Sequence, residues 1–383
     1  MIVVSARRAR ACRPPSRVRI AFVALALRSL WLVAPAAAQT SPASISWNRA
    51  LDQPPAWYTS AEAVRIADNV LRYQHDNGGW EKNIDMASVL ADSDRARVGK
   101  TDSQGGTTID NGATYTQIRY LARVYEATRH ARFRDGMLRG VDFLLAAQYA
   151  NGGWPQFFPI RQGYYEHVTF NDGAMIGVIR VLRDVAQGRA PFASVDAARR
   201  TRSAAAIRKG LDVILETQVA VDGKPTAWCA QYDHTTLRCA KARAYELPSL
   251  SGGESVDVVR YLMDIEKPSP AVVRAVESAV RWFEAVKLTG IAVVQKNDPA
   301  LPRGFDRVVV ADPAASPLWA RFYEIGTNRP MFVGRDGIVR DSLAQIEHER
   351  RIGYNYLGGW ARELLATEYP AWRRRVGLEA ERR

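Results

Sequence analysis

Cysteine and histidine are scarce in this chain of 383 residues, which holds three Cys and five His. Neither pattern fits a ready-made metal site. Two cysteines, Cys229 and Cys239, without a neighbouring histidine pair fall short of the four ligands of a structural zinc. His75, His130, His167, His234 and His348 lie far apart, with no His-Glu-x-x-His. No Gly-x-Ser-x-Gly elbow is present, and the Gly-Gly pairs do not form a phosphate-binding loop. A hydrolytic triad and a zinc site are therefore both without support. Acid is in deficit too, with 40 Asp and Glu against 53 Lys and Arg. A membrane-spanning run of about 20 apolar residues is missing. The best apolar stretch, Ile20 to Leu27, is cut off by Arg28.

That stretch has another use. Arg7, Arg8, Arg10, Arg13, Arg17 and Arg19 precede it, and Ala34-Pro35-Ala36-Ala37-Ala38 follows, just before Gln39. A basic leader, an apolar core and small residues at a cleavage point read as a secretory signal over residues 1–38. The remaining 39–383 read as one catalytic domain with a basic tail at Arg373–Arg383. Removing the signal takes away seven arginines, Cys12 and no acid, so the net charge falls from +13 to +6. A mildly basic exported chain suits a polyanion. The modest charge and the export signal argue against nucleic acid, and no membrane association is expected once the signal is gone. Export to the periplasm or the medium also permits a disulfide between Cys229 and Cys239, ten residues apart.

Most of the chain carries apolar residues at helical spacing. The stripes are Ala63, Ile66, Val70 and Leu71 after Ser60; Tyr115, Ile118, Leu121, Ala122 and Tyr125; Met137, Val141, Leu144 and Leu145; and Met175, Val178, Ile179, Leu182 and Val185. Further helices are predicted over Arg202–Glu216, Val256–Ile265, Pro270–Leu288 and Arg340–Glu368, and no regular run of strands is expected. Two segments repeat. Asn77-Gly78-Gly79-Trp80 recurs as Asn151-Gly152-Gly153-Trp154, past helix ends. Thr108-Ile109-Asp110-Asn111-Gly112-Ala113 recurs as Thr169-Phe170-Asn171-Asp172-Gly173-Ala174, before helix starts. Helical hairpins repeated in this way must stack or close into a ring to bury their apolar faces.

The polar segments admit two readings each. Asp110 and Asp172 are either N-caps or neighbouring carboxylates in a cleft that suits a hard cation such as Ca²⁺. Arg243 is either a surface cation paired with Glu246 or a functional group in the loaded stretch Trp228–Ser249. Arg321, Arg329 and Arg335 fit either a solvated loop or a surface that grips sugar acids by bidentate bonds. Trp80 and Trp154 either plug the helix ends or, with Phe157, Phe158, Tyr164 and Tyr165, stack on sugars.

Taken in order, NGGWEKNIDM (Asn77–Met86), TTIDNGA (Thr107–Ala113), NGGWPQFFP (Asn151–Pro159), GYYEHVTFNDGAM (Gly163–Met175), the stretch Ala227–Gly252 and the stretch Arg321–Tyr354 resemble polysaccharide lyase family 10, the pectate lyases. The resemblance implies a mainly α protein, a partial α/α toroid built as a ring of helical hairpins with long functional loops. It implies endolytic β-elimination of polygalacturonate by a monomer, with Arg243 as the base. It places Ca²⁺ at Asp110 and Asp172, and substrate contacts at Arg321, Arg329, Arg335, Lys82 and Tyr245. A glycoside hydrolase of the same ring type, using Asp110 and Asp172 as acid and base, and a non-catalytic carbohydrate-binding protein are the competing readings.

Overall fold

The computed structural model describes residues 45–91 and 106–378. The expected secretory signal, Cys12 and the last five residues of the basic tail lie outside the described residues. After a short helix α1 (Trp47–Leu51), helix α2 (Ala61–Arg72) starts at Ser60, whose hydroxyl accepts the Ala63 N–H at 3.1 Å. Helices α3 (Tyr115–Thr128), α4 (Ala131–Ala146), α5 (Ala174–Gln187), α6 (Ala197–Glu216), α7 (Glu254–Met263) and α8 (Pro270–Val286) follow. The residues of the α5 stripe are all buried, as the helical spacing required.

These helices form two rows. α3, α5 and α7 pack on one another as the inner row, while α2, α4, α6 and α8 pack in sequence as the outer row. Within each repeat an inner helix pairs with the outer helix that follows it, α3 with α4, α5 with α6 and α7 with α8. This is the expected α/α ring of helical hairpins. Every return from an outer to an inner helix runs through a long loop, and these loops gather at the inner-helix entrances.

One device anchors each loop. The last turn of a helix leaves carbonyls without intrahelical partners. The buried Trp80 indole donates to the Val70 carbonyl at 2.7 Å, Trp154 to Leu144 at 2.8 Å, Trp228 to Ile214 at 2.7 Å and Trp319 to Phe283 at 2.9 Å. The carbonyls belong to the last turns of α2, α4, α6 and α8 in turn. The tryptophans are plugs, then, and the repeat has four copies where the sequence showed two. A second device recurs three times. The Gln74 side-chain amide bridges the Gly78 and Gly136 carbonyls, Gln148 bridges Gly152 and Ala206, and Gln218 bridges Thr226 and Ala275. Each ties a loop to the next outer helix. Gly152 is required where it stands: its φ is +102°, and a Cβ there would lie 2.4 Å from the Lys209 carbonyl oxygen.

One hairpin was not foreseen, and one expected helix fails. Ile291–Asn297 (β1) and Phe305–Ala311 (β2) pair as an antiparallel hairpin, built on Val293, Val294, Val308, Val309 and Val310. The predicted helix over Arg340–Glu368 is mostly irregular. It holds a 3-10 turn at Leu343–Gln345, the short α9 (His348–Gly353) and a π-turn at Leu364–Glu368 that leads into α10 (Tyr369–Arg375). Between them Leu357 and Gly358 extend to pair with Trp319 and Ala320, so the fourth plug is held by a strand. Cys229 and Cys239 are bonded, with their Cα atoms 5.8 Å apart.

Replacing Trp228 by Phe keeps the plug's bulk but leaves the Ile214 carbonyl only the long bond from the Thr217 hydroxyl at 3.4 Å. The expected loss is about 1–3 kcal/mol in urea unfolding, and a loss well under about 1 kcal/mol would show that water replaces the indole.

Candidate active site

The inner-helix entrances carry the acids. Asp110 and Asp172 are not caps: each sits in a single 3-10 turn, Asp110–Gly112 or Asn171–Gly173, ahead of α3 or α5, and makes no capping bond. The two turns pack against each other. Asn111 and Asp172 hold equivalent left-handed conformations, with φ of 49° and 50°. Asp110 is buried. Lys82 Nζ pairs with its Oδ2, and its Oδ1 has no hydrogen-bond partner. Asp172 accepts from Asn171 Nδ2 at 2.8 Å and from Arg321 at 3.3 Å. The guanidinium of Arg321 also meets Glu254, the first residue of α7, whose other oxygen takes the Ser251 hydroxyl. The Tyr115 hydroxyl between these groups is pushed up to about 12, by burial first and then by the charges of Asp110, Asp257 and Asp172.

Arg243 lies in the loop that links α6 to α7. Its Nε donates to Glu246 Oε2 at 2.7 Å and its Nη2 to Glu246 Oε1, while the Tyr354 hydroxyl donates to the same Oε1 at 3.0 Å. The Tyr354 ring lies between two cations, with Arg321 4.9 Å and Arg243 5.7 Å from its centroid. The hydrogen bonds to Glu246 hold Arg243 firmly protonated, against the effect of its partial burial. For Arg321, burial alone would lower the pKa, but Glu254, Tyr354 and Asp172 reverse that and raise it. Across from Arg243 stands an aromatic wall. Tyr164 and Tyr165 lie 4.0 Å apart, Phe157 packs edge-on to Tyr165, and Lys82 reaches over Phe157 at 5.6 Å. The charge of Arg243 reaches the Tyr164 hydroxyl.

The structure thus brings together Lys82, Asp110, Asp172, Arg321 and, through Tyr354, Arg243. Tyr245 is buried beneath Arg243 at 4.9 Å, Arg335 at 5.9 Å and Arg350 at 4.7 Å, so it supports guanidinium groups instead of facing solvent. Arg335 is tied to Glu349 at the rim. Arg329 stands apart: it pairs with Glu324, beside Asn328, whose side chain takes the Trp282 indole N–H of the outer helix α8. Sequence reasoning missed Tyr354, Asp257 and Glu254. For Glu254 a signal existed: Ser251-Gly252-Gly253-Glu254 precedes an inner helix just as the two Asp-bearing turns do.

The sequence model of the pectic acid lyase family matches residues 74–365. Two solved structures share 36% identity with the chain. One is a family 10 polysaccharide lyase from Cellvibrio cellulosa, with a TM-score of 0.72, covering 87% of this chain and 95% of its own. The other is an aspartate-to-alanine mutant of family 10 polysaccharide lyase from Cellvibrio cellulosa in complex with a trigalacturonic acid, with a TM-score of 0.72, covering 84% of this chain and 96% of its own. No curated protein matches.

The Arg243–Glu246 pair has a pH signature. Burial alone would raise the Glu246 carboxyl, but the hydrogen bonds and charge of Arg243 hold it below its ordinary value. A lowered folded pKa stabilises the fold above the unfolded value of about 4.3, and that contribution disappears as pH falls through the folded pKa. Wild type should therefore exceed Glu246→Gln by about 1–2 kcal/mol near neutral pH, a figure kept low because Arg243 is partly exposed. The gap should close as unfolding is measured at progressively lower pH below about 4. A gap that stays constant would show that the pair does not titrate in this way.

Proposed function

The chain belongs to the pectic acid lyase family and is a polysaccharide lyase, and from that premise we propose that it cleaves polygalacturonate endolytically by calcium-assisted β-elimination with Arg243 as the base. Lyase membership sets aside the hydrolase and the non-catalytic readings. The observation that carries the proposal is that Arg243 and Arg321 both lie against the Tyr354 ring, while Arg321 meets the acids at the inner-helix entrances. Arg321, Lys82 and Arg335 supply cations for uronate carboxylates, and the aromatic wall supplies faces for sugar rings. Arg329, outside this cleft, serves only if the chain of substrate extends past α8.

Oxygen donors suit a hard cation. Asp110, with one orphaned buried oxygen, and Asp172 would hold Ca²⁺, with Asn171 and Glu254 close by. When bound it would neutralise the uronate carboxylate and so acidify the adjacent C5 proton. Arg321 adds positive charge at the same carboxylate. Elimination takes the C5 proton, forms the C4–C5 double bond, and breaks the C4–O4 bond. The leaving oxygen takes its proton from water.

For Arg243 to accept the C5 proton it must first leave Glu246 and lose a proton of its own. Positive charge nearby favours that loss, while Glu246 and Tyr354 oppose it. Turnover should therefore climb with pH into the alkaline range. The exported enzyme is proposed to work in the periplasm or the medium as a monomer, on an anionic polymer and not on nucleic acid. Among the described residues no helix is long and apolar enough to cross a membrane.

The test is polygalacturonate with ultraviolet detection of the unsaturated product. Absorbance should grow with an early fall in viscosity, stop on adding a chelator, and return with Ca²⁺. Reducing ends without absorbance would overturn elimination. Arg243→Ala should lower kcat by roughly 10²–10⁴-fold, the range of a lost general base, with substrate affinity near wild type. A variant that turns over at near wild-type rate would remove Arg243 from the mechanism.

A further inference from the structure

Three residues that the lyase chemistry does not use meet on the strand edge beside the disulfide. Residues Val168–Thr169 and Gln231–Tyr232 form an antiparallel ladder, Val168 opposite Tyr232. That register sets His167 across from Asp233, with His234 next in the chain. One ligand atom from each of His167, Asp233 and His234 lies within 4.8 Å of the other two, and all three residues are half-buried. We propose that these three residues form a binding site for a divalent transition metal of the zinc type, separate from the oxygen-lined calcium site at Asp110 and Asp172.

Along the chain the histidines are scattered and suggest no zinc site. The fold removes that objection by bringing together residues 66 positions apart. Four observations support the site. The Nδ1 atoms of His167 and His234 are both buried and both lack a hydrogen-bond partner. Leaving them so is costly unless something else takes the lone pair or proton. The His234 ring is fixed by stacking on Tyr149, with centroids 5.3 Å apart, and its carbonyl accepts from Asn151 at 2.7 Å. The Asp233 carboxylate is fixed through Oδ1 by the Thr235 N–H at 3.1 Å, the Thr236 N–H at 2.7 Å and the Thr236 hydroxyl at 2.9 Å. Finally, the bond between Cys229 and Cys239 closes the loop that carries Asp233 and His234, so the site is largely ordered before any ion arrives.

Two imidazoles and a carboxylate select zinc, cobalt or their neighbours over Ca²⁺, which takes oxygen alone. With only three protein ligands and partial exposure, water completes the shell. His167 also lies near the backbone of Lys241, two residues before Arg243. An ion here would tether the ladder and the disulfide loop to the start of the Arg243 segment. Its role is positional, and the ion takes no part in elimination.

The untagged full chain, stripped with chelator, is titrated with Co²⁺ under excess Ca²⁺, which fills oxygen sites. One equivalent of Co²⁺ should give a visible d–d band that Zn²⁺ abolishes. His167→Gln and His234→Gln should each weaken binding by roughly 100-fold or more, since even outer-sphere partners of a metal are worth about 10–100-fold, while His75→Gln should leave it unchanged. Zinc-edge X-ray absorption on the wild-type protein, which needs no variant to fold, should show imidazole back-scattering. No band, a band that survives both substitutions in folded protein, or an all-oxygen shell would overturn the site. None of these readouts depends on lyase activity.

Discussion

The indole-to-carbonyl hydrogen bond at the end of every outer helix is the constraint on which the rest of this protein depends. A chain that crosses from the outer row to the inner row must leave a helix end in the protein interior, where bare carbonyls are costly. Trp80, Trp154, Trp228 and Trp319 each cover such an end with their rings and satisfy one carbonyl with their N–H. The backbone beyond each plug is then free to build function. Thr108 donates its N–H to the Trp80 carbonyl, Thr169 to Trp154 and Ser251 to Trp228. These three residues lead directly into Asp110, into Asn171 and Asp172, and into Glu254. The acids therefore line up because the plugs do.

The ring and its repeats were legible because helical spacing is a strong periodic signal. The third and fourth plugs were not. Trp228 and Trp319 lack the Asn-Gly-Gly that marks the first two, and what they share is a partner in space. The β1–β2 hairpin was missed because one isolated pair of strands makes no recurrent pattern. Arg340–Glu368 was misread because its apolar residues serve a separate cluster. Leu343, Ile346 and Tyr356 pack there with Tyr245, Phe322 and Phe332, beneath the arginine-bearing loops. Of the site, the acids and arginines could be found as charged residues in polar stretches. Tyr354 could not, because a tyrosine between two guanidinium groups looks like any other tyrosine until the fold brings residues 243, 321 and 354 together.

The capping reading of Asp110 and Asp172 failed for a related reason. An acid just before an apolar stripe is normally a cap. Here the left-handed turns at Asn111 and Asp172 delay the helices to Tyr115 and Ala174. The carboxylates are then released from the backbone and meet Lys82 and Arg321 instead. The same turn that spoils the cap creates the cleft.

Every cation of that group already has an acid partner, Lys82 with Asp110, Arg321 with both Asp172 and Glu254, and Arg243 with Glu246, so that three cations meet four acids. Removing one partner of a buried pair leaves a charge uncompensated and is strongly unfavourable. A uronate carboxylate therefore cannot simply add to Arg321 or Lys82; it must arrive with positive charge that the released acids can take. On the proposed reading a calcium ion meets that need, since it serves the aspartates and the uronate together. Arg243 differs from the other two cations, because its partner Glu246 lies on its own loop, held also by Tyr354. No ion at Asp110 and Asp172 replaces that contact. On the same proposed reading Arg243 is released by movement within the Arg243–Glu246 turn, whose Glu246 N–H bonds the Arg243 carbonyl at 2.9 Å. The reluctance of an arginine to lose its proton is therefore a property of this short turn as much as of the guanidinium itself.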